Sequence, residues 1–260
     1  MSMVANYHTH TKRCHHACGE DREYIEQAIA RGLDTLGFSD HVPMPFADGH
    51  QSGYRIFIED LEDYVRSLEA LREEYKDRIN ILIGFEAEYY PDVFADMMAL
   101  IGRYDYDYLI MGQHFLGNEV NEASCTKATH EEAELIRYVD QVIEGLETGS
   151  YTYLAHPDIR GYAGDEATYD RQMRRLCERC LALNIPLEIN LLGLRDGRHY
   201  PTDRFFRIAA EVGNPVVLGC DAHRPCDMAV PENVAEGYAM AERLGLQVLE
   251  RLPIRSCYEQ

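Results

Sequence analysis

Short apolar runs alternate along the chain with longer stretches in which apolar residues recur every three or four positions. The short runs are typical of strands covered on both faces of a parallel sheet, and the longer stretches are typical of amphipathic helices. The predicted strands span residues 4–10, 35–41, 79–85, 108–111, 151–155, 186–190 and 215–218. The predicted helices span 21–32, 58–76, 91–103, 129–148, 168–183, 203–212 and 231–244, and a weak apolar run follows at 246–249.

This alternation predicts seven strand–helix units that share one parallel sheet. No linker or change of composition separates the units, and this many units in one domain favour a closed barrel. The first strand–helix turn lacks the Gly-x-Gly-x-x-Gly motif that would favour the alternative, an open doubly wound sheet. We therefore predict an α/β fold, a distorted (β/α)7 barrel, with residues 1–260 in a single domain.

Six of the seven predicted strands end in an imidazole or a carboxylate. In a parallel barrel the carboxyl ends of the strands surround the active site. A single histidine at such a position is more often a surface or core residue, but six strands that agree predict a metal cluster, of zinc, iron or manganese. The sixth strand ends with Glu188 and Asn190, which we expect to orient the ligands. The candidate ligands are His8 and His10, His41, Glu86 or Glu88, His114, His156, and Asp221 with His223.

Composition narrows the partners and the compartment. The formal net charge of −20 disfavours nucleic acids and anionic membrane surfaces, although bound metals would still admit a small anionic substrate. The sequence shows no run of 18 apolar residues and no basic-then-apolar leader, which predicts neither a membrane span nor a signal peptide, and a cytoplasmic location. The eight cysteines, Cys257 among them, are then expected to be free thiols. We interpret the Cys177-x-x-Cys180 pair, which lies in a predicted helix, as ordinary buried thiols.

The motifs at the strand ends together resemble the polymerase and histidinol phosphatase (PHP) family. They occur in the family's order and cover nearly the whole chain: His8-Thr-His10, Ser39-Asp40-His41, Gly84-Phe-Glu86, Gly112-Gln-His114, Ala155-His156-Pro157 and Gly219-Cys-Asp221-Ala-His223. Within the family, the chain length, Ser39-Asp-His-Val-Pro-Met44 and Leu187-Glu-Ile-Asn190 with Gly193-Leu-Arg195 are most similar to the histidinol-phosphate phosphatases. The resemblance implies a distorted seven-stranded barrel with three divalent metal ions, which are zinc, or iron or manganese.

The resemblance also implies a ligand set. It assigns His8, His10 and Asp221 to one ion, His114 and His156 to a second, and His41 and His223 to a third. A histidine of the first loop completes the third site; His16 fits the family spacing better than the adjacent His15, and both stay open. A glutamate bridges the first two ions. We favour Glu86 as this bridge and Glu88 as a partner for a substrate ammonium group.

Arginines near the predicted rim are informative because cations are scarce in this acidic chain. A phosphate monoester needs bidentate donors, which arginine supplies. Arg160 and Arg195 are the favoured phosphate ligands, and Arg198-His199-Tyr200 lies in the loop of Arg195. The alternative is that these arginines only neutralise surrounding carboxylates. His199 is a candidate substrate ligand and acid for the leaving alkoxide, or else a solvated loop histidine.

The predicted function is metal-dependent hydrolysis of a phosphate monoester. Water that bridges two cations becomes a hydroxide nucleophile, and the third ion with the arginines stabilises the charge on phosphate. Asp221, His223 and His199 are the candidate catalytic residues. The resemblance implies L-histidinol phosphate as substrate and L-histidinol and phosphate as products, in histidine biosynthesis. The alternatives are a non-catalytic metal-binding PHP module and an amidohydrolase-type zinc hydrolase of a C–N or ester bond, which would place a lysine at a strand end; none is found there.

Overall fold

The computed structural model describes residues 2–120 and 124–254, so Cys257 lies outside the described residues. Within them, seven strands form one sheet in which spatial order equals chain order and every neighbouring pair is parallel. The strands are β1 Ala5–Asn6, β2 Thr35–His41, β3 Asn80–Ala87, β4 Tyr108–Met111, β5 Tyr153–Leu154, β6 Leu187–Asn190 and β7 Val216–Gly219. The predicted succession of parallel strands is confirmed.

The sheet closes on itself just past the ends of β1 and β7. An isolated parallel bridge joins Thr9 to Ala222, and the amide of His10 donates to the carbonyl oxygen of Ala222 at 2.9 Å. At the start of β7, Val248 forms a second parallel bridge to Val216, which gives the weak apolar run at 246–249 a structural role. The fold is thus the predicted distorted seven-stranded α/β barrel. Strand β1 is shorter than predicted. Residues 8–10 form single backbone hydrogen bonds to Ser39 of β2 and to Ala222 after β7, and these do not make up a regular ladder.

Helices cover the outside of the barrel. They are α1 Asp21–Ala30, α2 Leu61–Tyr75, α3 Phe94–Ile101, α4 Glu132–Glu147, α5 Glu166–Ala182, α6 Leu191–Asp196, α7 Asp203–Val212 and α8 Pro231–Leu244. Helix α6 differs from the prediction, which treated residues 191–195 as a continuation into a loop. The Asn190 side chain caps α6 by accepting a hydrogen bond from the amide of Gly193 at 2.8 Å.

The barrel interior divides into an apolar layer and a polar layer. The apolar layer lies toward the amino ends of the strands and includes Tyr7, Leu82, Tyr108, Tyr153 and Val217. Alternate residues of a strand face the same side, so the strand that contributes Leu82 also turns its later carboxylates inward. The polar layer is therefore built on a packed apolar base.

Two smaller sequence predictions concern thiols and membranes. Cys177 and Cys180 are both buried and free, as interpreted from their helical context. In the part of the chain that the structure describes, no helix combines the length and apolarity needed to span a bilayer.

Candidate metal centre

The carboxyl ends of the strands surround a cavity of about 490 Å³ lined by imidazoles and carboxylates. We call these side chains the imidazole cluster. It consists of His8, His10, His16, His41, His114, His156 and His223 around Glu86 and Asp221. The predicted ligands from six different strands therefore converge on one mouth of the barrel. The apolar layer lies below them, and the cavity opens above them.

Glu86 lies at the centre of the imidazole cluster and is 1% exposed. One carboxylate oxygen, Oε1, lies 2.8 Å from Nε2 of His156 and 3.4 Å from Nε2 of His114. The other oxygen, Oε2, faces three further imidazole nitrogens, those of His41 at 3.2 Å, His8 at 3.4 Å and His10 at 3.5 Å. A carboxylate with imidazoles on both oxygens has the arrangement of a bridge between two cations. This geometry favours Glu86 over Glu88 as the bridging carboxylate.

The central carboxylate fits only because the neighbouring strand continues into a glycine. A Cβ on Gly112, the residue after β4, would lie 1.9 Å from Oε1 of Glu86 and 2.7 Å from its Cδ. Gly219, at the end of β7, likewise leaves space for Glu188, because a Cβ on Gly219 would lie 1.8 Å from Oε1 of Glu188. The glycines of two strand-end motifs thus provide room for buried carboxylates.

Asp221 forms the second anionic point of the cluster. Its Oδ1 lies 3.1 Å from Nε2 of His10, 3.4 Å from Nδ1 of His223 and 3.6 Å from Nε2 of His8. Asp221 has a φ of +48° and His156 a φ of +29°, in a region that residues other than glycine rarely adopt. Such backbone strain persists where the surrounding structure imposes it, and it concentrates at functional sites.

The first loop contributes His16 rather than His15. Nε2 of His16 lies 3.0 Å from Nε2 of His223, and its ring centroid is 5.3 Å from that of His41. His15 is exposed and packs its ring against Phe57, with 4.0 Å between the ring centroids. Of the two alternatives, the structure brings His16 to the cavity.

The cluster satisfies the chemistry of a divalent metal site. Several of its buried ring nitrogens have no hydrogen-bond partner, among them Nε2 of His8, Nε2 of His10 and Nδ1 of His41. An unpaired buried polar atom is costly, and a metal ion would remove that cost. Within the imidazole cluster, four groups of three have their ligand atoms within 4.8 Å of one another: His8, His10 and Asp221; His8, Glu86 and His156; His41, Glu86 and His114; and His10, His41 and His223. A fifth group among the described residues, His10, Cys14 and Asp40, lies beside the cluster.

Further carboxylates fix the orientation of the rings. Glu188 Oε1 lies 2.7 Å from Nδ1 of His8, and Asp40 Oδ1 lies 3.3 Å from Nδ1 of His10. Glu88 Oε1 lies 2.7 Å from Nδ1 of His114, while its other oxygen lies 2.9 Å from Nη1 of Arg55. Histidines that bind metals are commonly held this way. Glu88 is fully buried between these two partners, so its predicted contact with a substrate ammonium stays a prediction that this placement does not favour.

The cluster's electrostatics keep its carboxylates anionic. Burial alone would raise the pKa of Glu86, but His41, His114 and His8 bring it well below its usual range. The pKa of Asp221 is likewise well below its usual range, because His8 and His10 outweigh its burial. Burial lowers the pKa of His223 to about 3, and burial also takes the pKa of His41 well below its usual range. His41 and His223 therefore present neutral imidazoles beside the ionised carboxylates. Burial alone would lower the pKa of His8, His10 and His114, but their carboxylate neighbours raise it. Metal ions bind the neutral imidazole, so binding at these three histidines would release protons.

Arg195 and Arg198 both line the cavity. Arg195 is held by Asp227, with Nη1 and Oδ1 2.7 Å apart, and by Asp196, to which its Nε donates at 2.7 Å. Arg198 donates to the hydroxyl of Tyr200 at 2.7 Å. From the sequence, Arg195 was predicted as a phosphate ligand, and Arg198 was placed only in the same loop.

Arg160 and His199 are not among the described residues that line this cavity, so their roles at the phosphate and the leaving group stay predictions. Arg160 is 2% exposed, donates to the carbonyl oxygen of Lys127 at 2.9 Å and pairs with Glu134 on α4. Nε2 of His199 lies 2.7 Å from the carbonyl oxygen of Ile159. Both side chains line a neighbouring cavity of about 300 Å³. Lys127 and Glu134 hold Arg160 toward α4, and the carbonyl oxygen of Ile159 holds the ring of His199.

Comparison with known proteins identifies the family. The PHP domain matches residues 6–191. The probable histidinol-phosphatase of Deinococcus radiodurans is 30% identical over 234 residues, which cover 86% of this chain and 88% of that protein. The histidinol-phosphatase of Bacillus subtilis is 24% identical, over 85% of this chain and 94% of that protein.

A solved structure supports the fold assignment. The histidinol phosphate phosphatase of Lactococcus lactis, complexed with zinc, L-histidinol and phosphate, superposes with a TM-score of 0.74 at 19% identity, over 96% of each chain. At this identity the likeness concerns the fold. The family match over residues 6–191 and the Deinococcus relative concern the sequence itself. On these grounds, the chain belongs to the PHP family.

Proposed function

We propose that this protein is a metal-dependent phosphomonoesterase that hydrolyses L-histidinol phosphate to L-histidinol and phosphate. The observation that carries the proposal is the convergence of buried imidazole nitrogens without hydrogen-bond partners, those of His8, His10 and His41, on the carboxylates of Glu86 and Asp221. The substrate rests on the relatives, which bear the name histidinol-phosphatase, and on the ligands in the Lactococcus lactis complex.

The proposed centre holds three divalent ions. His8, His10 and Asp221 would hold one, and His114 and His156 a second, with Glu86 shared between them; His16, His41 and His223 would hold a third. Divalent ions in such a centre acidify water toward neutral pH and neutralise charge on phosphate oxygens. Asp221 and His223 enter the mechanism in this way, as ligands. His199 has no part in the proposed mechanism, because it lines the neighbouring cavity.

Arg195 and Arg198 are the proposed phosphate ligands. With a net charge of −20, the chain repels a phosphate dianion at long range, so the site needs local cations. Asp196 and Asp227 fix the direction of the Arg195 guanidinium. Arg198 donates to the neutral hydroxyl of Tyr200, and its Nη2 lies 3.6 Å from Oδ2 of Asp196. The two guanidiniums together would hold the non-bridging oxygens in a fixed orientation.

Aromatic side chains form another part of the cavity wall. Tyr54 and Phe115 stack with 5.9 Å between ring centroids and 25° between planes, and both line the cavity. We propose that the imidazole of histidinol phosphate packs against this pair while its phosphate reaches the arginines. No lysine lines the cavity among the described residues, which removes the feature that would favour an amidohydrolase-type centre.

The test is phosphate release from a panel of monoesters by the zinc-loaded protein. The panel is histidinol phosphate, p-nitrophenyl phosphate and glycerol phosphate, with p-nitrophenyl acetate as an ester that lacks phosphorus. We expect phosphate release with the highest kcat/KM for histidinol phosphate. Equal kcat/KM for all three monoesters would remove the substrate assignment, and acetate hydrolysis without phosphate release would remove the phosphatase itself.

A further inference from the structure

A buried ionic network behind the imidazole cluster joins two loops of the barrel mouth. Its centre is Arg55, in the loop between β2 and α2, which is 2% exposed. Arg55 lies between two carboxylates, Glu88 at the end of β3 and Glu119 in the loop after β4. These two carboxylates are 0% and 2% exposed, so neither has bulk water as a substitute partner. The imidazole cluster does not include any of the three.

The first branch of the network leads to a proposed metal ligand. Nη1 of Arg55 lies 2.9 Å from Oε2 of Glu88, and Oε1 of Glu88 lies 2.7 Å from Nδ1 of His114. Glu88 thereby turns the other ring nitrogen of His114, Nε2, toward Glu86 at 3.4 Å. Arg55 also donates from Nη1 to the carbonyl oxygen of Val42 at 3.1 Å, which fixes its own position.

The second branch leads to the aromatic wall. Glu119 accepts hydrogen bonds from Nε of Arg55 at 2.9 Å, from the hydroxyls of Tyr54 at 2.5 Å and Tyr90 at 3.1 Å, and from Ser52. The guanidinium of Arg55 lies 4.8 Å from the ring centroid of Tyr54. The ring of Tyr54 stacks on that of Phe115, so this branch reaches the wall through Tyr54.

We infer that Arg55 is a positioning residue. Through Glu88 it orients the proposed metal ligand His114, and through Glu119 it fixes the position of the Tyr54–Phe115 wall. The inference rests on the metal centre of the proposed function but not on the identity of the substrate. Removing one partner of a buried ion pair leaves an uncompensated charge, so loss of Arg55 should make Glu88 and Glu119 move or take up a proton. Movement of Glu88 would release His114, and movement of Glu119 would release the wall.

The test compares Arg55→Met, Arg55→Lys and Glu119→Gln with the wild type. Metal-free protein is titrated with Zn²⁺ against a chromophoric chelator, with no phosphate ester present, and KM and kcat for histidinol phosphate are measured separately. Loss of a group that orients a metal-bound histidine typically weakens metal binding 10–100-fold. We expect a loss of about that size at one zinc site in Arg55→Met, with partial recovery in Arg55→Lys. Glu119→Gln, which keeps the Arg55–Glu88 contact, should raise KM and leave zinc affinity unchanged.

Arg72→Met is the matched control. Arg72 pairs with Asp107, which precedes β4 at the end of the barrel opposite the cluster, and the pair is largely buried at 15% and 0% exposure. This variant should lower the melting temperature without changing zinc affinity. Wild-type zinc affinity in Arg55→Lys and Arg55→Met would overturn the inference; if Arg55→Met does not fold, Arg55→Lys decides alone. Wild-type protein that binds zinc but leaves histidinol phosphate intact would overturn the substrate assignment instead.

Discussion

Gly112→Ala tests whether the position of Glu86 controls the centre. The added Cβ would lie 1.9 Å from Oε1 of Glu86, 2.7 Å from Cδ and 2.9 Å from Cγ, so one methyl group would overlap most of the carboxylate. To reach an ordinary contact of 3.4 Å, Oε1 must move by about 1.5 Å. Glu86 is 1% exposed and His156 lies 2.8 Å from that oxygen, so the movement must break the existing arrangement.

The magnitude follows from this displacement. A misplacement of about 1 Å in a catalytic arrangement can cost about 100-fold in rate, or about 2.7 kcal/mol of activation free energy. Overpacking in the barrel interior should also lower the free energy of unfolding by about 1–3 kcal/mol. We therefore expect Gly112→Ala to remain folded at 25 °C, to lose at least about 100-fold in kcat and to bind fewer zinc ions.

The assay combines steady-state phosphate release with elemental analysis and thermal unfolding of the same preparation. Gly53→Ala is the matched control, because no atom lies within 4 Å of its added Cβ and its φ is not in the left-handed region. Gly53→Ala should behave like the wild type. A Gly112→Ala protein with wild-type kcat and zinc content would refute the reasoning, since it would show that Glu86 can move without consequence.

Three further predictions concern individual side chains. Asp221→Asn, which keeps shape but removes charge, should reduce kcat by more than about 100-fold and lower the zinc content found by elemental analysis; wild-type turnover would contradict its role as a ligand. Arg198→Met should raise KM for histidinol phosphate by about tenfold or more, because a charge-assisted contact with phosphate is lost. Arg160→Met should lower the melting temperature and leave KM unchanged. A raised KM in Arg160→Met with an unchanged KM in Arg198→Met would place Arg160 at the phosphate site instead. Glu188→Gln should weaken zinc binding about 10–100-fold in a chelator competition, and an unchanged affinity would show that its contact with His8 is dispensable.

The sequence predicts the barrel and the convergence of ligands because both depend on periodic, local signals. Strand periodicity determines which residues face inward, and parallel order brings all strand ends to one rim. The strand spans 35–41 and 108–111 agree residue for residue with β2 and β4. The choice of Glu86 as the central carboxylate followed from the family motif, and the structure shows the physical reason, which is the space left by Gly112.

The side chains beyond the strand ends were harder to predict. Arg160 and Arg198 are both arginines in loops of the rim, and only the course of each loop decides which one reaches the cavity. Glu88 faces the same side as Glu86 by strand periodicity, but its charge is taken up by Arg55, which lies 33 positions earlier in the chain. Such long-range pairing of charges leaves no periodic signal in the sequence.

The most direct test of the central claim is a metal titration of activity. Metal-free protein is prepared by chelation, and phosphate release from histidinol phosphate is recorded as Zn²⁺ is added back in measured equivalents. The proposed centre predicts no turnover at zero equivalents and a rise that levels off near three ions per chain. Full activity in the metal-free protein would contradict the claim that these imidazoles and carboxylates act by holding metal ions.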